Sequence, residues 1–212
     1  MKGMNAFMKV LIKQTNKDLF SANFDIIEND EIIGNLYLKG HLGTPEVKLT
    51  GKIYDKEFYM ERTKQTKGKF RPYSISENNN VVGEVYQAEA EQSWWKKLLS
   101  SKPYFKCIYN GQEYNSDVVA VSDGKVISAI FNNEKQIAQC ENDTTIYNEV
   151  YNFDIYCNTR EEVFISIITI SFRYIMGYYK AGEKVTKSVR TFYPSKLDWA
   201  DKYDPNWVKE LK

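Results

Sequence analysis

Short runs of β-branched and aromatic residues alternate with turn residues from about residue 7 to residue 154. The clearest runs are residues 32–38, 47–54, 58–62 and 81–86. Turns containing asparagine or aspartate fall at residues 28–30, 78–80 and 132–133. β-branched and aromatic side chains favour strands, and asparagine tolerates the left-handed conformation that tight hairpin turns require. The pattern therefore predicts a mainly β protein built from consecutive hairpins.

Two of these hairpins repeat one another, because residues 24–38 align without gaps on residues 73–87. Gly34 matches Gly83, and a fainter third copy has Ala138 at this position. A glycine inside a strand allows a bulge or the close approach of another backbone. Repeated hairpins predict a meander that closes into a barrel, since closure removes exposed strand edges.

One segment breaks the strand pattern and has the boundaries of a helix at about residues 160–180. Thr159 and Glu162 fit the S/T-x-x-E capping box at its start. Lys180 and Gly182 suit its other end, where a cation and a glycine commonly terminate a helix.

This predicted helix is apolar on every side over residues 163–179, with Arg173 as its only charge. Such a helix is either buried in a protein core or spans a membrane. The apolar run is at the short limit for a span, and an arginine inside it would be costly in lipid. We expect a buried core helix, with a transmembrane helix or a pair of strands as the alternatives.

The composition narrows the class of protein. The 212 residues include 29 Lys and Arg against 28 Asp and Glu, a net charge of +1, which disfavours nucleic acid as a partner. Cys107, Cys140 and Cys157 are odd in number and lack C-x-x-C spacing, so we expect buried, reduced thiols.

The N-terminal residues do not have the pattern of a signal peptide. Lys9 interrupts the first apolar run, and no signal-peptide cleavage site follows it. We expect a cytoplasmic protein that is peripheral to the membrane if it binds lipid.

An array of hairpins followed by one apolar C-terminal helix resembles the tubby C-terminal-like superfamily. That superfamily includes tubby proteins, phospholipid scramblases and LURP-one-related proteins, and this chain is similar to a bacterial-type member. Residues 153–156 and the helix after them resemble the last strands and the central helix of that fold. The resemblance implies a closed antiparallel barrel of about twelve strands around the helix, covering residues 1–190, with residues 191–212 as a C-terminal extension. It also suggests membrane lipid as a partner, although no lipid-contacting position of tubby proteins can be matched.

Residues with catalytic or metal-binding chemistry are sparse. His41 is the single histidine, and no nucleophile motif accompanies it. Asp198, Asp201 and Asp204 do not have the alternate-residue spacing of a calcium loop. We therefore predict no catalytic residues, no metal and no cofactor. An enzyme that uses an unidentified pair of acids remains an alternative.

The first candidate binding segment is residues 62–71, which contain five cations and no acid. The cations are Arg62, Lys64, Lys67, Lys69 and Arg71. We expect a hairpin with its turn at residues 65–68, whose period of two would place the cations of each arm on one face and create a site for anionic ligands. The alternative is a solvated edge hairpin that uses lysine to prevent aggregation.

The second candidate segment is rich in tryptophan, lysine and leucine, a composition typical of a short helix at a membrane interface. Its residues are Trp94, Trp95, Lys96, Lys97, Leu98 and Leu99. The alternative is a short helix that covers one mouth of the barrel.

Together the two segments favour a non-enzymatic domain that binds anionic phospholipid headgroups at a membrane surface. The main rival is a protein-interaction module that docks a partner through exposed aromatic residues of the C-terminal extension, including Trp199, Tyr203 and Trp207.

Overall fold

A computed structural model describes residues 8–41, 44–66, 71–90, 103–179, 182, 186–189, 191–194 and 197–210. Fourteen strands are present in this part of the chain. They are β1 (Met8–Lys17), β2 (Ser21–Glu28), β3 (Glu31–His41), β4 (Thr44–Ile53), β5 (Lys56–Arg62), β6 (Tyr73–Glu77), β7 (Asn80–Glu89), β8 (Pro103–Tyr109), β9 (Gln112–Ser122), β10 (Lys125–Asn132), β11 (Lys135–Asp143), β12 (Thr145–Tyr147), β13 (Asn152–Cys157) and β14 (Lys187–Val189). The helices are α1 (Arg160–Gly177), α2 (Trp207–Glu210) and a single 3-10 turn (Ala200–Lys202).

Twelve of these strands form one closed antiparallel barrel in the order β1-β13-β11-β10-β9-β8-β7-β6-β5-β4-β3-β2. Consecutive strands pair from β1 to β11, and β13 closes the barrel by pairing with both β11 and β1. The two remaining strands, β12 and β14, form a separate ribbon. The predicted barrel is confirmed.

The repeated hairpins share one irregularity, as the sequence predicts. The register shifts after Ile26 in the β2–β3 pair and after Ile75 in the β6–β7 pair. Gly34 and Gly83 lie at these shifts, and a methyl group on either would overlap a backbone carbonyl of the next strand. The third copy has the same shift opposite Ala138.

The turns of these hairpins use left-handed residues. Asn29 and Asp30 form the first turn and Asn78 and Asn79 the second, all with φ between 47° and 65°. These two predicted turns are confirmed. The third turn lies one residue later than predicted, because β10 includes Asn132 and the left-handed residues are Asn133 and Glu134.

The helix α1 begins with the predicted capping box. The Thr159 hydroxyl accepts a hydrogen bond from the Glu162 backbone N–H at 3.2 Å, and the Glu162 carboxylate accepts one from the Thr159 N–H at 3.1 Å. The helix ends at Gly177, earlier than predicted. Gly182 has φ +80° but does not terminate the helix, since its N–H donates to the Leu19 carbonyl.

The barrel surrounds α1, whose residues 163–175 are all buried. Aromatic rings of the helix meet rings of strands on different sides of the barrel. The ring pairs are Phe164–Phe58, Phe164–Tyr109, Phe172–Tyr73, Phe172–Phe105, Tyr174–Phe24 and Tyr174–Phe153, with centroids 5.1–6.4 Å apart. Each pair adds about 0.5–1.5 kcal/mol to the free energy of burying the rings. The buried core helix is therefore confirmed. Within the described residues, no helix combines the length and the apolar character needed to cross a bilayer.

Residues 197–204 pack on the outside of the barrel wall. The Trp199 ring lies 5.2 Å from the Phe131 ring and 5.7 Å from the Tyr104 ring. The Gln136 side-chain oxygen accepts a hydrogen bond from the Asp204 backbone N–H at 3.1 Å. This cover explains why successive residues of β10 and β11 are buried on both faces of the wall.

Candidate functional site at one mouth of the barrel

Because the strands alternate in direction, the connections between them divide into two sets. We call the end where α1 begins the N-terminal mouth and the end where α1 finishes the C-terminal mouth. The tight asparagine turns, such as those at Asn29 and Asn78, lie at the N-terminal mouth. The connections β5–β6 and β7–β8 both leave the barrel at the C-terminal mouth. The strand order therefore anchors both candidate segments at the same end.

The basic segment is only partly described. Arg62 is the last residue of β5, pairs with Tyr73 of β6, and lies on the same face as the buried Phe58 and Met60. Its half-buried side chain is thus at the inner edge of the C-terminal mouth. Lys64 and Arg71 are exposed. Lys67 and Lys69 lie outside the described residues.

The strands β5 and β6 do not extend through this segment as the sequence suggested. Among the described residues, the last backbone hydrogen bond of the pair runs from the Thr63 N–H to the Pro72 carbonyl at 2.8 Å. Pro72 has no N–H to continue the ladder. Lys64 and Arg71 are therefore not strand residues, and the period-two argument for one shared face was wrong for them.

The tryptophan segment lies outside the described residues, and this includes Trp94, Trp95, Lys96, Lys97, Leu98 and Leu99. The structure gives the two points to which the segment is attached. β7 ends at Glu89 and β8 begins at Pro103, and Glu89 pairs directly with Pro103. Both attachment points are at the C-terminal mouth.

Two neighbouring cations at this mouth, Lys17 and Lys125, are paired with acids, whereas the described cations of the basic segment are not. The Lys17 side chain is only 8 % exposed and lies 2.5 Å from the Glu149 carboxylate, while Lys125 lies 2.8 Å from Asp143. No carboxylate of the described residues pairs with the three described cations of the basic segment, Arg62, Lys64 and Arg71. Unpaired cations at one end of a protein attract anions, and this attraction weakens as salt increases.

The described interior of the barrel contains a small apolar cavity and buried, protonated thiols. A cavity of about 10 Å³ beside Ser171 and Tyr174 is lined by apolar strand residues and has room for about one water molecule. Burial raises the pKa of the Cys107 and Cys140 thiols to about 12, so both remain protonated. All three cysteines are free and buried, as expected. In the described ranges, no three His, Cys, Asp or Glu residues are grouped as metal ligands.

A groove of about 940 Å³ crosses the outer wall from β3 to β7. The charged side chains that line it are paired: Lys52 lies 3.8 Å from Glu57, and Glu61 lies 3.5 Å from Lys48 beside the groove. The Tyr59 hydroxyl also donates to Glu61 at 2.9 Å. The groove therefore presents balanced charge and is less suited to anions than the C-terminal mouth.

Two of the three aromatic residues proposed to dock a partner, Trp199 and Tyr203, contact the protein's own barrel. Trp199 packs on the outer wall, Tyr203 donates a hydrogen bond to the Gln139 side chain at 3.4 Å, and Trp207 begins α2. Sequence reasoning did not identify Lys187, an exposed cation whose ammonium lies 5.7 Å from the centre of the Tyr147 ring. Nothing local marks it, because the β12–β14 ribbon joins residues far apart in the chain.

Comparison with known proteins finds no matching family model, no matching curated protein and no matching solved structure.

Proposed function

We propose that this protein is a non-enzymatic domain that binds anionic phospholipid headgroups at a membrane surface through its C-terminal mouth. The observation that carries the proposal is the shared location of the two candidate segments. The basic connection between β5 and β6 and the tryptophan-containing connection between β7 and β8 are anchored at the same end of a closed barrel.

The charge of the basic segment suits this role. Residues 62–71 carry five cations and no acid, and each cation near an anionic bilayer contributes about 1 kcal/mol of binding free energy. Lys64 and Arg71 are exposed, and no described acid neutralises them. Tryptophan and lysine side chains on the neighbouring connection have the composition found where proteins meet headgroups.

The filled interior of the barrel favours binding at the surface of the protein. The core helix occupies the barrel, and the cavity beside it has room for about one water molecule. A headgroup would therefore bind at the outside of the mouth. The closed barrel around a buried helix also supports the proposal that the chain belongs with the tubby C-terminal-like superfamily, whose architecture it resembles.

The test is co-sedimentation of the full chain with vesicles of phosphatidylcholine alone or with added phosphatidylserine, at low and moderate salt. Binding to the anionic vesicles alone, with a decrease as salt rises, is the expected result. Equal binding to both kinds of vesicle would contradict headgroup recognition. No binding to either would overturn the proposal and favour a protein partner.

A further inference from the structure

The C-terminal mouth also carries most of the exposed large apolar side chains in the described part of the chain. They are Leu19, Phe20, Val121, Tyr147, Val150, Met176, Val189 and Tyr193, which we call the apolar rim. Single exposed apolar residues are ordinary on protein surfaces, but their concentration at one end is not.

Contacts between separate chain segments hold the rim together. The Leu19 carbonyl accepts a hydrogen bond from the Gly182 N–H, beyond the end of α1. Met176 is in the last turn of α1. Tyr193 follows Phe192, whose ring lies 6.3 Å from the Tyr178 ring at the helix end. The rim is therefore a composite surface around the end of the helix.

The opposite mouth has few exposed apolar side chains and carries exposed charges of both signs. Its exposed acids include Asp30, Glu31, Asp55, Glu134 and Glu161, and its exposed cations include Lys56, Lys135 and Arg160. Only two exposed large apolar residues lie there among the described ones, Ile32 and Val81, each beside an asparagine turn. What distinguishes the C-terminal mouth is that its apolar side chains lie beside cations that no described carboxylate pairs with, to which Lys187 adds, and an anionic bilayer attracts such cations.

We infer that the barrel docks on the bilayer end-on, with the apolar rim inserted below the headgroups and the axis of α1 pointing into the membrane surface. The occupant is a lipid bilayer because unpaired cations accompany the apolar residues, and tyrosines such as Tyr147 and Tyr193 suit the interface. This inference rests on the proposed function and adds an orientation and an insertion surface to it.

A fluorescent label reports the orientation directly. The native cysteines are at most 4 % exposed, so a cysteine introduced at an exposed position can be labelled selectively. Tyr193→Cys places an environment-sensitive dye on the rim, and Val81→Cys places it on the opposite mouth as the matched control. With phosphatidylserine-containing vesicles, we expect a blue shift of the dye at position 193 and none at position 81.

A second pair of variants tests insertion without changing charge. Leu19→Gln with Tyr193→Gln should weaken vesicle partitioning roughly tenfold, because apolar area would no longer leave water. Ile32→Gln with Val81→Gln should leave vesicle partitioning within about twofold of the wild-type value. If wild-type protein binds vesicles but the dye shifts at position 81 or at neither position, end-on docking is wrong while headgroup binding stands. If wild-type protein binds no vesicles, the proposed function itself fails.

Discussion

The Arg173 guanidinium, on the helix inside the barrel, donates a hydrogen bond through Nη1 to the Ser128 hydroxyl of β10. Arg173 is only 9 % exposed, and its guanidinium also lies 5.6 Å from the centre of the Phe192 ring. No carboxylate of the described residues pairs with it. The Ser128 hydroxyl therefore accepts one of the hydrogen bonds that the buried guanidinium can donate, and this bond links the helix to β10.

Removal of that hydroxyl should destabilise the fold. Ser128→Ala should lower the free energy of unfolding by about 1–3 kcal/mol, because a buried charged donor loses its acceptor. In an Arg173→Met background, Ser128→Ala should lower the free energy of unfolding by much less. Urea unfolding of the four proteins of the double-mutant cycle measures the difference between the two losses. Ser171→Ala is the control, since the Ser171 hydroxyl is buried and has no hydrogen-bond partner in the described structure. Equal costs of Ser128→Ala in both backgrounds would contradict the coupling.

The close approach at the repeated glycines gives a second prediction. Gly34→Ala or Gly83→Ala would place a methyl group against a carbonyl oxygen of the adjacent strand, and each should cost about 2–4 kcal/mol of unfolding free energy. Gly111→Ala is the comparison. Nothing lies within 4 Å of the added carbon there, and only the positive φ of 78° is unfavourable, so about 1 kcal/mol is expected. Thermal unfolding followed by circular dichroism ranks the three variants, and similar losses in all of them would refute the packing argument.

The capping box predicts how α1 is held at its start. Thr159→Ala removes the acceptor for the Glu162 N–H and should cost about 1 kcal/mol of unfolding free energy. Thr159→Ser keeps the hydroxyl acceptor and should retain most of the unfolding free energy that Thr159→Ala loses. Urea denaturation of both variants checks this, and an equal loss in the serine variant would show that the hydrogen bond is not the source of the stability.

The buried thiols predict lower stability at alkaline pH. Burial raises the pKa of Cys107 and Cys140 from the ordinary 9.0 to about 12. Above about pH 9 the unfolded chain releases thiol protons that the folded chain retains, so the free energy of unfolding falls as pH rises towards 12. The loss reaches about 1.4 kcal/mol per pH unit for each thiol in that window. Urea unfolding between pH 8 and 10.5 should show a smaller slope in a Cys107→Ala and Cys140→Ala variant, and an unchanged slope would argue against this linkage.

Local chemistry in the sequence was sufficient for much of the fold. Asparagines at positions 29 and 78 set the turns, and Gly34 and Gly83 mark the bulges, because these features depend on a few adjacent residues. The register of the basic segment was harder to predict, since Pro72 has no N–H with which to return the hydrogen bond that its carbonyl accepts from Thr63.

Features that depend on distant residues were not predictable in the same way. The cover of β10 by Trp199 joins segments about seventy residues apart, and its only local sign is the apolar run from Ala129 to Phe131. The candidate site likewise combines a feature set by adjacent residues with one set by distant residues. The composition of residues 62–71 marked the cations, but their position beside the apolar rim follows from the direction of each strand in the closed barrel.

The central claim is that specific cations of the C-terminal mouth bind anionic lipid, and two charge-matched triple variants test it most directly. One replaces Arg62, Lys64 and Arg71 with glutamine. The other replaces Lys9, Lys52 and Lys135 with glutamine, and these lysines are exposed on the wall or near the opposite mouth.

Both variants lose the same net charge, and co-sedimentation with phosphatidylserine-containing vesicles at low salt measures their affinities. We predict a loss of roughly a hundredfold for the first variant, about 1 kcal/mol for each cation, and a loss within about threefold for the second. Equal losses in the two variants, or no loss in the first, would contradict a lipid-binding site at the C-terminal mouth.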